Sequence, residues 1–210
     1  VVEGNTTIVI SGGEVGDGVT KKGGAKIGNV YGGGKGSLTA VSAGLVKGNT
    51  RITISETDKT NHPTIIYHNV YGGGAYGSVG AIHRSNEGAD YVPVGGGKGE
   101  KKPPSWTRKV GNTGTDTGTA EIYITGGQIG TDGDENGMVY GSSRGDVATP
   151  TGANSDSPFG TDVDGNDRTA WVYETKVVIG TLGSTGPDIR CSVYGSGENG
   201  HVFDEADVII

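Results

Sequence analysis

Apolar residues take every second place in four short stretches of the chain: Thr6-Thr7-Ile8-Val9-Ile10, Thr50-Arg51-Ile52-Thr53-Ile54, Ala120-Glu121-Ile122-Tyr123-Ile124 and Lys176-Val177-Val178-Ile179. A fifth begins at Asp207-Val208-Ile209-Ile210. Successive side chains of a β-strand point to opposite faces, so the alternation predicts strands that bury Ile8/Ile10, Ile52/Ile54, Ile122/Ile124 and Val177/Ile179 on one side. In the first and third stretches the strand runs into a Gly-Gly turn and a further apolar step, Ser11-Gly12-Gly13-Glu14-Val15 and Thr125-Gly126-Gly127-Gln128-Ile129. The second and fourth depart from this, continuing as Ser55-Glu56-Thr57 and Gly180-Thr181-Leu182-Gly183.

Each stretch is followed 17 to 23 residues later by a tyrosine motif: Asn29-Val30-Tyr31-Gly32, Asn69-Val70-Tyr71-Gly72, Met138-Val139-Tyr140-Gly141 and Ser192-Val193-Tyr194-Gly195. The sequence after the tyrosine repeats as well, with the consensus V-Y-G-[GS]-[GS]-x-G-x-[VL] reaching Leu38, Val79, Val147 and Val202. The four tyrosines are expected at equivalent positions in successive repeats, with the preceding valines on the opposite side of their strands. From tyrosine to the next strand the distance varies from 14 to 51 residues, so insertions gather on one side of the unit. The two long ones, 80–117 and 148–170, start just after Val79 and Val147 and are expected to leave from one shared corner.

Short strands repeated in tandem cannot bury themselves singly, but stacked units share a continuous interior. The expected fold is therefore all-β, a parallel β-helix (β-solenoid) with glycine-rich corners and loop insertions. The repeats fall at about 5–48, 49–118, 119–174 and 175–210 of a single segment, 1–210, which stops within a strand and reads as part of a longer repeat protein. Composition agrees. The chain has 43 glycines in 210 residues, and 22 valines and 15 isoleucines stand against three leucines. β-Branched side chains suit a pleated surface, which excludes an all-α fold. A collagen helix is excluded because the glycines cluster without a period of three. A β-sandwich or propeller also uses short strands, but the irregular unit length argues against a closed propeller.

The repeats Gly4-Asn5-Thr6-Thr7-Ile8-Val9-Ile10-Ser11-Gly12-Gly13 and Gly28-Asn29-Val30-Tyr31-Gly32-Gly33-Gly34 resemble the glycine-rich repeats of large secreted or surface-anchored proteins of gut bacteria, notably Bacteroidetes and Firmicutes. Those proteins are similar to autotransporter-type β-helix passengers. The resemblance covers nearly all of the chain outside 80–117 and 148–170. It implies an extracellular or cell-surface location and an adhesin-like or structural role, and it supplies no catalytic residues.

Charge and motifs narrow the chemistry. A net charge of −7 repels phosphate backbones, so a nucleic-acid partner is not expected. No stretch approaches the roughly 20 apolar residues of a membrane helix, and membrane insertion by a helix is not expected either. The lone Cys191 allows no internal disulfide. Gly32-Gly33-Gly34-Lys35-Gly36-Ser37 has the glycines of a phosphate-binding loop, but glycine follows the lysine where Ser or Thr is required. Asp132, Asp134 and Asn136 stand at the first, third and fifth positions of a calcium loop with Gly137 at the sixth, while Ser143 replaces the closing glutamate. Calcium is thus the one cofactor suggested, in a site looser than an EF-hand. Arg144-Gly145-Asp146 spells an integrin-recognition tripeptide, although Gly145 falls on an ordinary repeat glycine. The first long insertion combines Lys98, Lys101, Lys102, Arg108 and Lys109 with Trp106, and Tyr91, Trp106 and Trp171 are the candidate ligand contacts, since exposed aromatic rings stack on sugars.

No zinc-ligand spacing and no nucleophile motif occurs in the sequence. The expected function is a noncatalytic segment of a bacterial surface protein, an adhesin or stalk whose partner is a host or microbial glycan or a surface protein. A polysaccharide lyase or glycosidase on the same scaffold is one alternative. A self-assembling filament subunit, associating end to end through strand-like termini, is the other.

Overall fold

In the computed structural model the described residues are 1–16, 28–37, 43–80, 117–131, 136–145 and 170–210, with the backbone of two further short strands at 83–84 and 106–107. The alternating stretches form β1 (Thr6–Ile10), β4 (Thr50–Ile54), β9 (Thr119–Ile124), β13 (Glu174–Ile179) and β17 (Ala206–Ile209). They pair in parallel, in chain order, as one five-stranded sheet. Its register sets Ile8 beside Ile52, Ile52 beside Ile122, Ile122 beside Val177 and Val177 beside Val208. Pairing in this register puts like residues in one column, and a slip by a single residue would turn every column inside out.

A second sheet joins β2 (Gly13–Val15), β5 (Thr64–Ile66), β10 (Gln128–Ile129) and β14 (Asp188–Ile189), again parallel and in chain order. The sequence announced only the first and third of these strands. In the second and fourth repeats the strand lies beyond a longer loop, so the Gly-Gly signal that precedes it elsewhere is missing. The tyrosine motifs make a third parallel sheet from β3 (Val30–Tyr31), β6 (Val70–Tyr71), β11 (Val139–Tyr140) and β15 (Val193–Tyr194). Inside the long insertion β7 (His83–Arg84) and β8 (Trp106–Thr107) pair antiparallel. The described residues are all-β, without a helix, and none of the sheets closes on itself.

The main apolar core runs between the three parallel sheets, and Val79, Ala120 and Val172 form a second buried cluster. Ile52, Ile54, Ile66 and Val70 of the second repeat meet Ile122, Ile124, Ile129 and Val139 of the third, all fully buried. Val30 and Val177 extend the core on either side, with Ile8, Ile10, Val15, Ile179, Ile189 and Val193 packed against it. The predicted inward positions are the observed ones, and the valines of the tyrosine motifs, expected only opposite their tyrosines, lie in or against the same core.

Polar side chains bind each repeat to the next. Asn49 Oδ1 accepts from Thr119 N at 3.0 Å, as Asn5 Oδ1 does from Asn49 N at 2.9 Å. Asn29 Oδ1 accepts from Asn69 N, and Asn69 Oδ1 from Gly137 N and Met138 N. The asparagines of the repeated G-N-T and N-V-Y-G motifs therefore complete backbone donors of the next repeat, of which Gly137 N is buried. Inside a repeat, Thr6, Thr50 and Thr175 each donate a hydroxyl at 2.6 Å to the carbonyl of Gly32, Gly72 or Gly195. Ala120 takes that position in the third repeat.

The glycine after each tyrosine is fixed by close approach. A Cβ on Gly72 would stand 2.1 Å from the carbonyl oxygen of Gly141 in the next repeat, and the same clash meets Gly32 and Gly141. In the third repeat the serines that replace later glycines find partners: Ser142 Oγ donates to His201 O, and Ser143 Oγ donates to Gly77 O and accepts from Gly74 N, in space that Gly73 leaves open.

Candidate functional site

A fourth row of pairing runs beside the three sheets. Val2, Val46, Val79 and Val172 follow one another through parallel bridges, and β12 (Trp171–Val172) continues the row to β16 (His201–Val202). The repeat position after the tyrosine motif is therefore filled by Val46 and Val172, where the consensus had reached Leu38 and Val147. Insertion inside the repeat has shifted the equivalent residue along the chain. This corrects the expected shared corner. The first long insertion follows Val79 and ends before Gly118, whereas the second leaves after Gly145 and ends before Ala170. They flank the row from opposite sides: Tyr173 N donates to Gly118 O at one root, and Ala170 N donates to Tyr76 O at the other.

Between the two roots the row becomes aromatic. Alternation about the inward Val172 and Val202 places Trp171, Tyr173, His201 and Phe203 on the opposite face. The indole of Trp171 stacks on the His201 imidazole with centroids 4.4 Å apart, and Tyr173 lies over Phe203 at 5.2 Å. In the two preceding repeats the matching positions hold Leu45 and Lys47, then Ser78 and Gly80. Four rings thus gather on one strip of surface, where the indole, imidazole and phenol add polar atoms to an apolar area. Of the candidate contacts, Trp171 belongs to this strip. Trp106 lies on β8, of which only the backbone is described, and Tyr91 lies outside the described residues. Tyr173, His201 and Phe203 were missed. For His201 and Phe203 the signal was the spacing of Val2, Val46 and Val202 four residues before Thr6, Thr50 and Ala206, which marks the row from the strand that follows it; Val172 stands three residues before Thr175, so Tyr173 carried no such signal.

The tyrosines of the repeat motif form a second aromatic column. Tyr31, Tyr71, Tyr140 and Tyr194 stack at 4.8, 5.1 and 5.1 Å with planes within 11° of parallel, matching the spacing of adjacent strands. Tyr71 is buried and donates its hydroxyl to Glu198, whose carboxylate also accepts from Arg144 Nε at 3.0 Å. Burial, reinforced by the Glu198 carboxylate, raises the Tyr71 hydroxyl far above the usual phenol range. Burial followed by the charge of Glu198 pushes Tyr140 up to about 12. These hydroxyls stay protonated near neutral pH: Tyr71 clamps the corner through Glu198, while Tyr140 donates to Met138 Sδ at 2.8 Å. The arginine of the Arg144-Gly145-Asp146 tripeptide belongs to this clamp, its side chain 28% exposed, while Asp146 lies outside the described residues.

Of the calcium-loop candidates, Asn136 is 2% exposed and turns its amide back into its own loop, with Oδ1 accepting from Thr131 N at 2.9 Å. Asp132 and Asp134 lie outside the described residues. Among the described residues, no three His, Cys, Asp or Glu side chains come together as metal ligands.

No protein-family model, no curated protein and no solved structure matches the chain.

Proposed function

We propose that the repeats stack as a parallel β-solenoid and that the chain is a noncatalytic, extracellular segment of a bacterial surface protein, adhesin-like, which recognises glycans through the aromatic strip between its two insertions. The observation that carries this reading is the concentration of Trp171, Tyr173, His201 and Phe203 on one row, between the roots of both long insertions. Repeats in common register make a stiff support, and loops on a rigid support are a usual place for recognition. Aromatic rings offer sugars an apolar C–H contact together with hydrogen-bonding atoms.

A glycan array probed with the wild-type chain and with Trp171→Ala tests this. Binding to a defined set of glycans that Trp171→Ala weakens at least tenfold supports the reading. Glycan turnover, or binding indifferent to the substitution, overturns it. The filament alternative draws support from β1 and β17, which sit at the two edges of the five-stranded sheet with Val9 and Ile209 exposed. Concentration-dependent growth in light scattering would favour it.

A further inference from the structure

On the face formed by the second sheet, away from the aromatic strip, lies a cleft of about 140 Å³ lined by three repeats. The in-register positions Ile65, Gln128 and Asp188 point outward from β5, β10 and β14, and supply part of its floor. The loop between β4 and β5 forms one wall with Glu56, Lys59 and Pro63, and Gly186 stands on the far side. We infer that this cleft is a binding subsite for a single uncharged pyranose unit, the end or branch of a larger glycan.

The lining is organised before any ligand arrives. Glu56 Oε1 accepts from Thr64 N at 3.0 Å, while the Thr64 hydroxyl donates to Ser55 O at 2.8 Å. Asp58 holds the tip of the same loop by accepting from Thr60 N and Asn61 N, both at 3.0 Å. Gln128 is oriented from both ends of its amide, by Gly130 O and by Arg190, and Arg190 pairs with Asp188 at 2.6 Å.

The ligand class follows from this mixture. Glu56 and Asp188 accept hydrogen bonds and Lys59 donates them, so the wall offers both roles within one small volume. A sugar hydroxyl donates and accepts at the same oxygen and can use both. A ligand of one charge would meet a like charge on the wall whichever sign it carried. Pro63 and Ile65 add the apolar area that the C–H face of a ring requires. The volume is that of one ring, close to the 150 Å³ or so of a cavity that encloses benzene.

The inference takes its ligand class in common with the recognition reading above but uses a separate face. The full chain, labelled with ¹⁵N, is titrated with the methyl glycosides of glucose, galactose, mannose and N-acetylglucosamine. The expected result is saturable shifts of the Lys59, Ile65, Gly127, Gln128 and Gly186 amides with at least one glycoside. Lys59→Ala raises Kd about tenfold, as expected for losing one hydrogen bond from a charged donor. Glu56→Gln keeps an acceptor for Thr64 N and weakens binding less, and Trp171→Ala leaves the titration unchanged. Absence of shifts at these amides with all four glycosides overturns the subsite, as does a Kd indifferent to Lys59→Ala in a variant that melts like the wild type. Array binding without cleft shifts overturns this inference alone, and cleft shifts without effect of Trp171→Ala on array binding overturn only the aromatic-strip reading.

Discussion

Replacing Gly72 by alanine adds one methyl group where the structure has no room for it. The new Cβ would stand 2.1 Å from the Gly141 carbonyl oxygen, 3.0 Å from its carbon and 3.3 Å from the Ala120 Cβ. Carbon and oxygen settle at about 3.3 Å, so the third repeat has to retreat by about 1 Å. Retreat stretches the bond from Gly72 N to Tyr140 O, now 2.9 Å. Overpacking costs about 1–3 kcal/mol and a lost backbone hydrogen bond about 1 kcal/mol more, together about 3 kcal/mol. For a chain of this size that lowers the melting temperature by about 10 °C. Gly195 is the matched control. It holds the same motif position, but its Cβ would meet only Ala206 and Val208 atoms at 3.2–3.3 Å, so Gly195→Ala costs under about 1 kcal/mol. Gly4→Ala, with nothing within 4 Å, is neutral or slightly stabilising because alanine restricts the unfolded chain. Thermal unfolding followed by circular dichroism ranks the three. A Gly72→Ala variant that melts with the wild type, or no lower than Gly195→Ala, would refute the argument that contact between repeats fixes this glycine.

Ile122→Asp places a carboxylate in the middle of the buried column between Ile52 and Val177 and is expected to cost several kcal/mol, whereas Ile122→Val costs about 1 kcal/mol; chemical denaturation measures both. Asn69→Ala leaves Gly137 N and Met138 N without their acceptor, a loss of about 1–3 kcal/mol, and amide hydrogen exchange should accelerate first at those two residues. The tyrosine column makes stability sensitive to alkali. Because the folded Tyr140 hydroxyl is raised to about 12 and an unfolded one ionises near 10, its contribution is complete below about pH 10 and is lost as pH climbs through 12. Tyr31 and Tyr71 are raised in the same direction, so melting temperatures should be level on their account up to about pH 10 and then fall, with tyrosine ultraviolet titration tracking the loss.

Much of the molecule was legible in the chain because periodicity is a local property. Alternation in Thr50–Ile54 and Thr119–Ile124 names the inward face without knowledge of the neighbour, and a motif such as Val70-Tyr71-Gly72 carries its own register. The strands Thr64–Ile66 and Asp188–Ile189 were not legible. A short strand next to a variable loop has too little pattern of its own, and it is defined by the backbone it pairs with.

Equivalence across the insertions lay beyond local pattern for the same reason. Val147 followed the tyrosine motif at the consensus distance, yet Val172 pairs with Val79, because hydrogen bonding between repeats, and not distance along the chain, decides which residues share a row. That pairing gathered Trp171, Tyr173, His201 and Phe203 into one strip and set the insertion roots on its two sides. Composition and repeat pattern alone determined that the chain makes Val/Ile-rich strands with glycine-rich turns and an inward aliphatic face. Which polar groups meet across repeats, Arg144 with Glu198 or Gln128 with Arg190, was decided only by the tertiary structure, since such contacts join residues far apart in the chain whose spacing the inserted loops leave free to vary.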